Sequence, residues 1–205
     1  MKIVAEDTRA LSAEKRAQLT ACLREEVERA ELLRLINRNG RYGAPNIYNG
    51  QREIDLKRVL NAVKILCYRK NVYKTKLNKL LFYADFKHYQ LQGQGITGLC
   101  YAHLPFGPTA DRYEVILQRL SNLDDTLVMQ ADPSIESGGE FFSCEQEPDR
   151  GLFSFSELQV LIEVDAFFKS FTTSAITNYS HEEDGYLRTK NGELISYEYA
   201  ARLRI

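Results

Sequence analysis

The stretch from about Thr75 to Gln90 constrains the fold more than any other part of the chain. In helical register Leu77, Leu80, Leu81 and Ala84 share one side, while Phe82, Tyr83, Phe86 and Tyr89 occupy others. A helix that is apolar around most of its circumference is buried around most of it. The segment therefore predicts the central rod of a core, and 205 residues are enough to surround it.

The remaining pattern predicts a mainly α-helical α+β fold, a helical core with a small antiparallel sheet of about three strands. Ser12 caps a helix over 12–37, whose stripe of Leu19, Cys22, Leu23, Val27, Ala30 and Leu33 packs on its own body or on a partner, and Asn39-Gly40 stops it. Residues 38–53 hold Gly, Asn and Pro at short intervals and read as a linker or ordered loop, dividing an N-terminal segment 1–54 from a main domain 55–205. Asp55 caps a helix with the stripe Leu56, Val59, Leu60, Val63, Leu66 and Cys67. Beyond the central helix, Gly93, Gly95 and Gly98 break the pattern and 97–104 reads as a strand. Pro108 opens a helix over 109–122, since proline's missing N–H has no partner in a first turn anyway. Residues 126–131 and 140–145 form an antiparallel pair that 97–104 joins as a third strand. Ser156 caps a helix over 157–170; a short helix over 172–179, a polar loop over 180–192 and a last helix over 193–203 complete the chain.

Several function classes are disfavoured. A formal net charge of -1 argues against a surface that grips nucleic acid, which needs clustered Lys and Arg to neutralise phosphates. The local cluster Arg69, Lys70, Lys74, Lys76 and Lys79 reads as a solvated face, with an acidic partner surface or nucleic acid as the alternative. No apolar run approaches the roughly 20 residues that span a bilayer, and the start has no apolar stretch long enough for a signal peptide. A cytoplasmic protein with no membrane partner is expected. Cys22, Cys67, Cys100 and Cys144 lie far apart without a CxxC pair, so they read as reduced, mostly buried thiols instead of zinc ligands.

Three histidines limit the chemistry further. His181 sits in Ser180-His181-Glu182-Glu183-Asp184, the densest run of titratable groups, but HExxH would need a second histidine. Ser beside His along the chain makes no triad, because triad partners meet in space. His103 falls in a strand and His88 late in the buried helix, both readable as satisfied structural histidines. Gly93-Gln94-Gly95 with Gly98 follows a helix and enters a strand, the reverse of the order a dinucleotide loop requires. No catalytic residue, cofactor or metal is expected: the chain reads as a binding protein.

Two blocks then carry a resemblance. KTKLNKLLFYADFKHYQLQGQGITGLCYAHLPFGPT begins at Lys74 and contains Lys76 to Ala84 and Phe106-Gly107-Pro108. These resemble the K-L-x-K-L-L-[YF]-[YF]-A helix and the later [YF]-G-P turn of the SocA-like antitoxin, or Panacea, domain. The SHEE-type loop Ser180 to Glu183 and ISYEYA at 195–200 form the second block. The likeness runs over about 55–203 in the expected order, and PNIYNGQREIDL at 45–56 is similar to the lead-in of longer relatives.

The resemblance implies an antitoxin that neutralises a protein toxin encoded beside it by direct binding, with delivery of that toxin to a protease as an adaptor as a further mode. It implies no catalysis. Contact candidates are Tyr101, His103, Phe106, Gly107, Pro108, Tyr179, Ser180, His181, Glu182, Glu183 and Tyr186, with fold maintenance as the competing reading. Longer relatives carry a zinc ribbon or helix-turn-helix upstream, whereas residues 1–40 hold one Cys and one long helix. A transcriptional regulator, or a regulatory protein of a phage or mobile element, is the alternative. Homo-oligomerisation through the N-terminal helix stays open.

Overall fold

The computed structural model describes residues 12–37, 40–134 and 138–205. Ser12 accepts from the Lys15 amide and starts helix α1 (Ala13–Ile36). The helix ends on Asn37, whose side chain accepts from the Tyr42 amide at 2.9 Å. It therefore stops before the Asn39-Gly40 expected to stop it, and Asn39 lies outside the described residues. Asp55 accepts from the Lys57 and Arg58 amides to start α2 (Leu56–Cys67). Strand β1 (Val72–Tyr73) leads into the central helix α3 (Lys74–Gln92), which closes on Gly93 in the left-handed conformation at φ 71°. Next come β2 (Tyr101–Leu104), β3 (Gly107–Ala110), α4 (Tyr113–Leu123), β4 (Leu127–Ala131) and β5 (Glu140–Cys144). A 3-10 turn (Arg150–Leu152), α5 (Phe155–Phe167), α6 (Thr173–His181), α7 (Asp184–Leu187), β6 (Leu194–Ile195) and a second 3-10 segment (Tyr197–Arg202) complete the order.

The fold is mainly helical α+β, with two small antiparallel sheets of three strands among the described residues, ordered β1-β5-β4 and β3-β2-β6. The expected β4–β5 pair forms, but its third strand is β1, with Val72 opposite Phe142; β2 belongs to the other sheet. Pro108 does not open a helix. Leu104 pairs with Gly107 across the two-residue turn Pro105-Phe106, which places Pro108 in β3. β3 is an edge strand, where a residue without an amide proton costs no ladder bond. The helix waits until Tyr113, after Arg112 takes a left-handed conformation. Ser154, not Ser156, caps α5: Ser154 and Glu157 form a reciprocal capping box, which fixes the start two residues earlier. The expected last helix is a strand followed by a 3-10 segment, because Leu194 and Ile195 pair with Ala102 and Tyr101.

As its composition requires, α3 lies at the centre, packed by α2, α5, α6, β1, β3, β5 and the final 3-10 segment. Phe86 stacks on Tyr197 at 4.3 Å, Phe82 meets Tyr101 edge-on at 5.5 Å, and Tyr83 lies 4.5 Å from Phe168. Each such ring, fully buried, contributes about 1.5–3 kcal/mol by leaving water. Asp85, fully buried on α3, accepts from the Ile96 and Thr97 amides, the Thr97 hydroxyl and, at 2.6 Å, the Tyr101 hydroxyl. Burial pushes its pKa upward against the pull of these four donors. One carboxylate thus fastens the 93–100 loop and the start of β2 to the central rod.

Residues 40–54 form an ordered loop tied to the rest. Tyr42 donates to the Asp111 carbonyl at 2.7 Å, Gly95 donates to the Gly50 carbonyl at 2.7 Å, and Tyr197 donates to the Ile47 carbonyl at 2.8 Å. Of α1, Leu32 and Ile36 are buried, whereas Leu19, Cys22, Leu23 and Val27 are exposed, so the expected stripe is uncovered over the first part of the helix. The other three cysteines are buried free thiols.

Candidate protein-binding site

Gly107 is where the separated sequence blocks meet. Its φ of +93° is a left-handed conformation that side chains other than glycine's rarely adopt. A Cβ placed there would lie 2.5 Å from Ser180 Oγ, 3.0 Å from Lys79 Cε and 3.2 Å from His181 Cδ2. The α3 lysine, the Phe106-Gly107-Pro108 turn and the Ser180-His181 pair therefore share one packed junction. Ser180 is buried at the end of α6, and its hydroxyl donates to the Thr177 carbonyl at 2.8 Å.

Lys79 is the unusual member. Its side chain is wholly buried, and Nζ donates to the Pro108 carbonyl at 2.7 Å and the Thr109 hydroxyl at 3.2 Å. The Thr109 hydroxyl donates in turn to the Gly107 carbonyl at 3.0 Å. The lysine thus clamps an edge strand in which only Thr109 has strand preference of its own. Burial brings its pKa from 10.5 down to about 7. Above pH 7 the unfolded chain still holds this proton while the folded chain releases it, so the Lys79 contribution makes stability rise with pH. Urea midpoints of the wild type and Lys79→Met, compared between pH 7 and 9, should show the wild type gaining on the variant as pH rises. A constant gap would show that the buried ammonium is not what titrates.

His103, Tyr186 and His181 form an aromatic stack. Tyr186 lies 3.7 Å from the His103 ring at 19° and 4.6 Å from the His181 ring at 6°. Its hydroxyl donates to the Leu104 carbonyl at 3.1 Å, tying α7 to the hairpin. His103 Nδ1 hydrogen-bonds the Thr189 hydroxyl at 3.2 Å. His181 Nε2 is buried with no hydrogen-bond partner among the described residues, and burial, Lys79 and His103 lower its pKa. A neutral imidazole acting as a flat stacking partner fits that setting.

The acidic residues close the other side. Glu183 is buried and accepts from the Tyr83 hydroxyl at 3.0 Å; burial raises the pKa of both groups. Glu182 is exposed and pairs with Arg204 at 2.6 Å, while Tyr179 donates to the Arg204 carbonyl at 2.7 Å beneath its guanidinium. Among the eleven candidates, Tyr101, Gly107, Pro108, Ser180 and Glu183 are buried, His103, Tyr179, His181 and Tyr186 are half-buried, and Phe106 and Glu182 are exposed. Tyr101 stands apart from the junction, within the core, its hydroxyl on Asp85.

The basic cluster divides between surface and fold: Arg69 and Lys70 are exposed, Lys74 and Lys76 half-buried and Lys79 buried. Lys70 pairs with Asp165 and Lys74 with Glu140; Lys76 donates to the Phe168 and Phe171 carbonyls, and Lys79 is buried as described. Lys74 and Lys79 are spent on contacts within the fold, which weakens a nucleic-acid reading of the cluster as one surface. His88 Nδ1 donates to the Gln94 carbonyl at 2.6 Å and Nε2 meets the Ser156 hydroxyl at 3.2 Å, a satisfied core histidine. Among the described residues no group of His, Cys, Asp and Glu could hold a metal ion, and no helix is long and apolar enough to cross a membrane. Sequence reasoning missed Asp85 as an organiser and took Lys79 for a surface charge. The clue for Lys79 is its position between Leu77 and Leu80-Leu81 on a helix buried all round.

A family model described as antitoxin SocA-like, Panacea domain matches residues 77–185, just over half of the chain. The match runs from α3 through the hairpin and the Ser180–Glu183 run to Gly185, and so contains the whole Gly107 junction. No curated protein and no solved structure matches the chain.

Proposed function

Because the chain belongs to the antitoxin SocA-like, Panacea domain family, we propose that it is an antitoxin that neutralises a protein toxin by binding and covering it. The unit that does so is residues 55–205, with 1–54 as its N-terminal extension. The observation that carries the reading is Phe106, 71% exposed at the tip of a hairpin whose flanks are immobilised by Gly107, Lys79 and the Tyr186 hydroxyl. An aromatic ring held on a rigid mount buries much area while losing little entropy, which suits the centre of an interface. Leu187, 66% exposed at the end of α7, adds apolar surface next to Tyr186. His103, Tyr179, His181, Glu182 and Tyr186 flank the tip as contacts, and the buried candidates hold them in place.

Phe106→Ala tests this. Its ring packs on little, so stability should change by no more than about 0.5 kcal/mol. Affinity for the toxin encoded by the neighbouring gene should fall by roughly 30-fold or more, the loss expected for an interface hot spot. Growth of cells expressing both proteins should fail with the variant and continue with the wild type. A variant that folds, binds and rescues growth like the wild type would move the interface elsewhere.

A further inference from the structure

A second site lies away from the Gly107 junction. A cleft of about 440 Å³ opens between the run Lys70-Asn71-Val72-Tyr73 and the segment linking α5 to α6. Its lining sets three ammonium groups, Lys70, Lys76 and Lys169, against the single carboxylate of Asp165. That excess of positive charge sits in a chain whose net charge is -1. Lys70 and Asp165 pair with each other, Lys76 is held by the Phe168 and Phe171 carbonyls, and Lys169 is exposed with no ion-pair partner among the described residues. Burial and the nearby Lys70 lower the Lys76 pKa, a strain that a bound anion would relieve.

The floor is apolar, with Val72, Leu80 and Phe171. One wall is β1, the edge strand of the β1-β5-β4 sheet, whose outer side pairs with no other strand among the described residues. A free strand edge, an apolar floor and a cationic rim together suit an extended chain that alternates apolar and acidic side chains. A small inorganic anion would use the rim alone.

We infer that this cleft receives an extended acidic segment of the protein partner, its carboxylates on Lys70, Lys76 and Lys169 and its apolar side chains on Val72 and Phe171. The identity of the partner as a toxin rests on the antitoxin reading; the chemistry of the segment rests on the cleft.

The probe is a fluorescent octapeptide of alternating Glu and Val, titrated by anisotropy into the full chain, with a Gln-Val octapeptide and inorganic phosphate as comparisons. The acidic peptide should bind saturably, at least about tenfold more tightly than the Gln-Val peptide, and weaken as salt rises. Lys169→Glu, on an exposed side chain that does not threaten folding, should reduce its binding about tenfold, and Lys70→Gln should also reduce it. Equal binding of the two peptides, indifference to Lys169→Glu, or displacement by equimolar phosphate would each overturn the inference. Binding and growth assays of Lys169→Glu with the neighbouring gene product separate the two readings. Wild-type behaviour of the variant sinks the cleft and spares the antitoxin, whereas a wild-type chain that never binds that product sinks the antitoxin reading whatever the peptide does.

Discussion

Asp85→Ala should cost the protein roughly 3–5 kcal/mol, a large fraction of what a domain of this size holds in reserve. The loss comes less from the missing carboxylate than from what it leaves behind. Two backbone amides, Ile96 and Thr97, and two hydroxyls, Thr97 and Tyr101, all donate to Asp85 in the buried interior. Each donor stranded without water or a new acceptor costs about 1–3 kcal/mol, although relaxation of the loop recovers part of the sum. Asp85→Asn should be milder, about 1–2 kcal/mol, because one amide oxygen still serves the backbone amides while its NH₂ can donate to hydroxyls. Urea unfolding of the three proteins should show midpoints falling in the order wild type, Asn, Ala with similar slopes. On the antitoxin reading, toxin binding by the Ala variant should fall as well, since Tyr101 begins the strand that carries the hairpin. A loss below about 1 kcal/mol for Ala would mean that packing, not this carboxylate, positions β2.

What could be read from the chain divides along physical lines. The central helix is legible because its signal is local and redundant: apolar residues on every side admit no exposed solution. The caps at Ser12 and Asp55 are legible for a similar reason, since a cap bonds only to amides two or three residues away. The hairpin is not. Gly107-Pro108-Thr109-Ala110 holds one strand-forming residue, Thr109, among three that disfavour strands, and the Lys79 ammonium arrives from another element to hold the Pro108 carbonyl. The last segment fails in the same way, because Leu194 and Ile195 are drawn into β6 by Tyr101 and Ala102, more than ninety residues upstream. In the site, residue types are visible but partners are not. Lys70, Lys74 and Lys76 look like one patch along the chain, yet they end on Asp165, Glu140 and the carbonyls of Phe168 and Phe171 between α5 and α6. The block carrying Gly107 and the block carrying Ser180 and His181 stand more than seventy residues apart, and only the fold shows that they meet.

Gly107→Ala tests that junction most severely. Two costs add. Backbone strain at a positive φ is worth about 1–2 kcal/mol for a residue with a Cβ. Steric overlap in a packed site adds about 1–3 kcal/mol. The new methyl would sit 2.5 Å from Ser180 Oγ and 3.0 Å from Lys79 Cε, so a helix end or a clamped lysine must move. A total of roughly 2–5 kcal/mol is expected, and on the antitoxin reading toxin neutralisation should be lost, because the displaced groups are those that orient Phe106. Gly192→Ala supplies the control. Gly192 also has a positive φ, +82°, but nothing lies within 4 Å of its would-be Cβ, so it should pay only the strain term of about 1–2 kcal/mol. The difference between the two variants then measures the crowding at Gly107 alone. Adding Ser180→Ala to Gly107→Ala removes the nearest clashing atom and should return part of the stability, a coupling that separate sites would not show. Equal effects of Gly107→Ala and Gly192→Ala, with no coupling to Ser180, would mean that the two sequence blocks touch without depending on each other.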